Sequence, residues 1–154
     1  MKERLKMEIK AIDHNVNIIA LQKNGKNYGM CCAWCTQAAA DKLICCVGPQ
    51  SATGRAIEKG DIIGFSNLNK AQMPIAFRLG DINSHSSETD KLAGIDYTVD
   101  EGAVLINDAR VVVKCQVIDI LHLPGIEMEN ILYLQMADGK ENGGEALHIA
   151  DLPM

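Results

Sequence analysis

The chain has 154 residues, and 47% of them are hydrophobic against 23% charged, so it can bury most of its apolar surface in one core and reads as a single domain over residues 1–154. With 13 Gly and 4 Pro it is neither collagen-like, low-complexity nor disordered. A net charge of −5 lacks the footprint of a nucleic-acid binder, and the absence of a long apolar run or a signal-type h-region argues for a cytoplasmic protein with no membrane partner.

The apolar periodicity changes often and in short steps. Val16–Leu21 reads as a strand closed by the turn signal Asn24-Gly25. Tyr28–Thr36 reads as a second strand, and Leu43–Val47 as a third, ended by Gly48-Pro49. Ser51–Lys59 reads as a short helix, with Ser51 or Thr53 as its cap and Gly60 just past its end. Asp61–Phe65 returns to strand, and Lys70–Leu79 is a second helix stopped by Gly80. The polar stretch Asp81–Asp90 reads as an exposed loop. Beyond Tyr97 the pattern is mostly β, with Ala103–Ile106, a turn at Asn107-Asp108, the long Arg110–Leu121, and Asn130–Met136. A Gly-rich loop over residues 137–144 then precedes a last strand-like piece, Ala146–Ala150. Many short strands with two brief helices predict a mainly β domain of barrel type.

Five of the six cysteines fall between Cys31 and Cys46. Cys32-Ala-Trp-Cys35 matches C-x-x-C, but the second element, Cys45-Cys46, is an adjacent pair and not the zinc-ribbon repeat. On one continuous strand Cys32 and Cys35 point to opposite faces. Cys31 and Cys35 share a face but lie about 13 Å apart, too far to share a metal ion. The cysteines are therefore expected to be reduced, buried hydrophobes, with a thiolate metal site as the alternative.

Asn27-Tyr-Gly-Met-Cys-Cys-Ala-Trp-Cys-Thr36, then Leu43–Gly48 and Ser51-Ala-Thr53, resemble stretches of the flavin reductase-like family of FMN-binding split barrels. Phe65-Ser-Asn-Leu68, Ser87–Tyr97 and Glu101–Val117 extend the likeness in the same order, over about residues 15–136. The resemblance implies a split β-barrel homodimer that binds FMN near the subunit interface. It also implies either reduction of flavin by NAD(P)H or a flavoredoxin-like carrier role with a redox partner protein. Cys31, Cys32 and Ala33 replace the family's usual Thr-Ala-Ser, and Glu129-Asn130 stands where many members have Asp-His.

Within that resemblance, Cys31, Cys32, Ala33, Trp34, Cys35 and Thr36 are expected to line the flavin, with Trp34 as a flat apolar wall and Thr36 and nearby backbone N–H groups as hydrogen-bond donors. Gly48, Pro49, Gln50, Ser51, Ala52 and Thr53 lead from a strand into a helix. That start suits the FMN phosphate, and it equally suits a plain N-cap. Ser66, Asn67 and Lys91 complete the cofactor-binding set, Lys91 as a charge partner for the phosphate in preference to Arg55 or Arg78. His85, in the polar loop, is the catalytic candidate because a loop histidine is free to meet a substrate.

Overall fold

Asn24 and Gly25 both take positive φ, 53° and 77°, and join β1 (Asn17–Lys23) to β2 (Lys26–Cys32) in antiparallel register from Asn17↔Cys32 to Lys23↔Lys26. A tight turn with both central residues left-handed has the twist that such a hairpin needs. The computed structural model describes residues 9, 11–80, 90 and 92–153. Along the chain follow β3 (Cys35–Ala39), β4 (Lys42–Val47), α1 (Ala52–Ala56), β5 (Ile62–Asn67), α2 (Met73–Gly80), β6 (Tyr97–Asp100), β7 (Ala103–Ile106), β8 (Val111–Leu121) and β9 (Asn130–Glu141).

The strands form one antiparallel sheet in the order β3-β4-β9-β8-β5-β1-β7-β6, with β2 paired to β1. The ring does not close. Where the ends of β2 and β4 approach, the contact is made by a side chain, Cys32 Sγ donating to the Cys46 carbonyl at 3.3 Å. This seam makes the sheet a split barrel.

Two apolar clusters flank β1, which explains why its sequence is an unbroken apolar run rather than an alternating one. Ile19 and Leu21 point into the barrel with Phe65, Val113, Cys115, Leu132 and Leu134. Val16, Ile18 and Ala20 point the other way, against Leu79 of α2 and Val104 and Ile106 of β7. A capping box at Asn69 and Gln72 starts the helical stretch that carries α2 onto this outer cluster.

Several sequence expectations are corrected. Tyr28–Thr36 is two strands, because the chain turns at Ala33-Trp34: Cys35 N donates to Ala33 O at 3.0 Å, and the chain passes from β1 to β4. The first helix stops at Ala56, since Ile57 turns extended and drops its side chain into the barrel core. Of the expected loop 137–144, only Asn142-Gly143-Gly144 leaves the sheet. The rest continues β9 to Glu141, paired with Val111–Lys114 of β8. Ala146–Ala150 makes only single bridges, Asn69↔Ala146 and Asn15↔His148, and a 3₁₀ turn. Residues 81–89, expected to be a loop, lie outside the described residues.

The core thiols make stability depend on alkaline pH. Cys115 is fully buried, and desolvation pushes its pKa up from the ordinary 9.0 to about 12. A raised folded pKa gives stability that is complete below the unfolded pKa and lost as pH rises through the folded one. Urea melts between pH 9 and 12 should therefore show a falling midpoint, and Cys115→Ala should remove its share of the slope. That share is about 1.4 kcal/mol per pH unit inside the window. An unchanged slope in the variant would contradict the assignment.

Candidate functional site

The turn at Ala33-Trp34 defeats the strand alternation assumed from sequence, and so places Cys32 and Cys35 together rather than on opposite faces. The Cys35 thiol lies 3.3 Å from Cys32 Sγ, and Cys45 sits directly across from Cys35 in the β3–β4 register. Hydrogen bonds from Cys35 and Cys45 hold Cys32 well below the ordinary thiol pKa despite its burial. The same contact with Cys32 pushes Cys35 up, as contact with Cys32 and Cys35 pushes Cys45 up. Cys31 takes the other face of β2, donating to the Ala76 carbonyl at 3.1 Å. Among the described residues, no group of three His, Cys, Asp or Glu side chains is arranged to hold a metal ion.

A chain of buried amides fixes the end of β2. Arg110 Nε donates to Asn67 Oδ1 at 2.6 Å, Asn67 Nδ2 to Asn17 Oδ1 at 2.7 Å, and Asn17 Nδ2 to the Cys32 carbonyl at 3.1 Å. These groups, with Cys35, Thr36 and Phe65, line a cavity of about 500 Å³. Asn17 and Arg110 were not among the sequence candidates. A polar residue inside the buried run Val16–Leu21 was the available signal for Asn17. Trp34 stands outside, 69% exposed, with its ring 5.2 Å from that of His14.

The loop from Gly48 to Thr53 packs against β2 through Ser51, whose Oγ donates to Met30 Sδ at 3.4 Å. Ser51 is also the N-cap of α1, accepting from Gly54 N at 2.8 Å. Thr53 is fully buried, and its Oγ1 has no hydrogen-bond partner. Gly54 lies against the Gly48 carbonyl, so that any Cβ there would collide with it. The Gln50 side chain folds over Gly48. Asn130 Nδ2 donates to the Gly54 carbonyl at 3.5 Å.

The structure thus brings Cys32, Cys35, Thr36 and Asn67 to one end of the barrel, while the loop 48–53 packs on Met30 of β2, Cys31 faces α2 and Trp34 stands outside. Ser66 is adjacent in sequence but faces away, its Oγ accepting from Ile106 N at 3.0 Å. His85 and Lys91 lie outside the described residues. A second cavity of about 520 Å³ opens between β6–β7 and β8–β9, lined by Asp96, Asp100, Asp138 and Lys114, and holds none of the sequence candidates. Among the described residues no helix is long and apolar enough to cross a membrane.

An open antiparallel barrel with a hydroxyl-bearing loop beside its seam is the architecture of the flavin reductase class. The flavin reductase like domain matches residues 9–148, and the chain belongs to that family. Its function is therefore of the flavin reductase type. Its fold is similar to that of the NADH:FAD oxidoreductase SgcE6 of Streptomyces globisporus C-1027, at 16% identity and a TM-score of 0.77, covering 91% of this chain and 84% of that one. SgcE6 has also been solved in complex with NAD and FAD fragments. A flavin reductase domain protein of Arthrobacter sp. FB24 matches at 16% identity and a TM-score of 0.77, over 100% of this chain and 98% of that one. The styrene monooxygenase flavin reductase of Pseudomonas putida S12 matches at 12% identity and a TM-score of 0.72, over 88% and 84%. No curated protein sequence matches the chain significantly.

Proposed function

We propose that the chain is a cytoplasmic FMN-binding oxidoreductase that passes reducing equivalents from NAD(P)H to flavin. The observation that carries the reading is Thr53 Oγ1, buried without a partner in the first turn of α1. An orphan hydroxyl costs about 1–3 kcal/mol, which an anion oxygen reaching the loop would relieve. The fit extends to Trp34, whose exposed indole offers a flat apolar surface to an isoalloxazine. Ser51 caps the helix, so its role toward a phosphate is to hold the loop rather than to donate a free hydroxyl. When bound, the flavin would supply the hydride-accepting centre.

FMN rather than FAD is supported by the compactness of this loop, which suits one phosphate. A shared pocket in a homodimer is supported by the exposed apolar side chains of Trp34, Leu121, Leu123, Ile126 and Met128. The long Val/Ile-rich strand Val111–Leu121, which from sequence would need a partner subunit to cover a free edge, needs none, because β8 lies between β5 and β9. Asn130 favours one rival, an electron carrier reduced by a partner protein: its amide is tied to the Gly54 carbonyl and cannot relay a proton as a histidine would.

Ser51→Ala combined with Thr53→Ala should weaken FMN by about 10- to 100-fold and leave riboflavin nearly unchanged, as lost hydrogen bonds to a phosphate predict. Equal loss for both ligands in fluorescence titrations would remove the phosphate from this loop. Anaerobic stopped-flow of the FMN-loaded protein with NADH and with NADPH tests the donor. Bleaching of the flavin band by either nicotinamide supports the reductase; no bleaching by both, with reduction by a low-potential protein donor, establishes the carrier.

A further inference from the structure

We propose that Cys32 and Cys35 form a reversible dithiol–disulfide couple at the seam of the barrel, entered through Cys35 by a small disulfide from the adjoining cavity. The inference stands apart from flavin binding, since it uses only the protein's own sulfurs. Their Sγ atoms lie 3.3 Å apart, and a disulfide bond is about 2.05 Å, so closure needs a shift of little more than 1 Å. The shift falls where the backbone leaves regular pairing, at the Ala33-Trp34 turn between β2 and β3.

The two thiols differ in access, which decides the point of entry. Cys35 is partly exposed and lines the 500 Å³ cavity, a volume suited to a small ligand. Cys32 is buried behind it, and the hydrogen bonds it receives favour its thiolate. The Cys35 thiol donates to Cys32 Sγ, and that contact pushes the Cys35 pKa up, so attack by Cys35 should speed as pH rises and solvent base takes its proton. Cys31 bonds across to α2 and Cys115 is enclosed in the barrel core, whereas Cys45 lies against both Cys32 and Cys35 but is fully buried, so an external disulfide reaches Cys35 first.

The exchange balances as follows. Cys35 Sγ, as the thiolate, attacks one sulfur of an external disulfide RSSR; the Cys35 Sγ–SR bond forms as the RS–SR bond breaks, and one RS⁻ leaves. Cys32 Sγ then attacks Cys35 Sγ; the Cys32–Cys35 bond forms, the mixed disulfide breaks, and the second RS⁻ leaves. The two protein thiol protons pass to the two departing thiolates, so the protein loses two electrons and two protons and RSSR becomes two RSH. The reverse sequence, with a small thiol, restores the dithiol.

Glutathione redox buffers provide the test, with intact mass, alkylation and peptide mapping as readouts. The wild-type chain should pass reversibly to a species lighter by two hydrogens, carrying no glutathione, with its disulfide mapped to Cys32–Cys35. Trp34 is the only tryptophan and sits between the two cysteines, so its fluorescence should fall and recover with the same midpoint. Cys32→Ala should trap a glutathione adduct on Cys35, and Cys35→Ser should form neither adduct nor disulfide at this site. The wild-type measurement decides even if a variant fails to fold. The proposal is overturned if both thiols stay reduced at the most oxidising poise, or if the bond maps to Cys45 or Cys46. A tightly held zinc ion that shields these thiols from alkylation until chelated would overturn it equally.

Discussion

Gly64→Ala is expected to destabilise the fold by about 3 kcal/mol or more, near the upper end of overpacking costs. Gly64 lies in β5 between Ile63 and Phe65, which point into the barrel, so a side chain at 64 would point outward. There it would meet the Val104 backbone of β7: an added Cβ would overlap the Val104 carbonyl oxygen and fall 2.9 Å from the Val104 nitrogen. Backbone cannot rotate away as a side-chain tip can. The alanine must push β7 off β5 and open the outer apolar cluster around Val104 and Ile106. Urea denaturation should show a large fall in midpoint, whereas Gly80→Ala, whose Cβ would meet only Cys31 Sγ at an ordinary 3.7 Å, should change little. Equal midpoints for the two variants would show that β5 and β7 are not held this closely.

Asn67→Ala should cost about 2–4 kcal/mol, because it orphans more than one polar group. Asn67 is nearly buried and uses both ends of its amide, accepting from Arg110 Nε at 2.6 Å and donating to Asn17 Oδ1 at 2.7 Å. Truncation leaves the Asn17 carbonyl oxygen without its donor inside the protein, and Asn17 is what holds the Cys32 carbonyl. Asn17→Ala should be costly for the same reason. The double variant should cost distinctly less than the sum of the two, since the second truncation removes a group that the first had already stranded. Thermal or urea melts of the three variants measure this coupling. Strict additivity would mean that the two amides do not depend on each other.

The candidate site was legible in the sequence to the extent that its residues are close along the chain. Residues 31–36 and 48–53 were named together on the family resemblance, and the β3–β4 hairpin between them turns the chain back so that their ends are near one another. Asn17 and Arg110 were not named, because each reaches the site from a distant strand and resembles an ordinary polar residue in an apolar neighbourhood. Ser66 and Asn67 show the same limit in one dipeptide: adjacent strand residues face opposite ways, and only the partner strands decide which one reaches the cavity.

Composition and local pattern by themselves determined a mainly β chain, the Asn24-Gly25 hairpin, the positions of most strands and the family resemblance. These follow from side-chain alternation and from backbone conformations that few residues tolerate, both of which act over a handful of residues. Tertiary structure alone decided that Tyr28–Thr36 breaks at Ala33-Trp34, that β9 continues through a Gly-rich stretch, and that Cys32, Cys35 and Cys45 meet. Each of these depends on which strand lies alongside. β4 captures the chain after Trp34 through the bond from Cys46 N to Trp34 O at 2.8 Å, and β8 holds Asp138–Glu141 in register. A run such as Met30-Cys-Cys-Ala-Trp-Cys35 carries an uninterrupted strand pattern, and nothing within it records that its two halves pair with different neighbours. Hydrogen bonding to those neighbours outweighs the local preference for one straight strand, and so the chemistry of the cysteines emerges only in the folded chain.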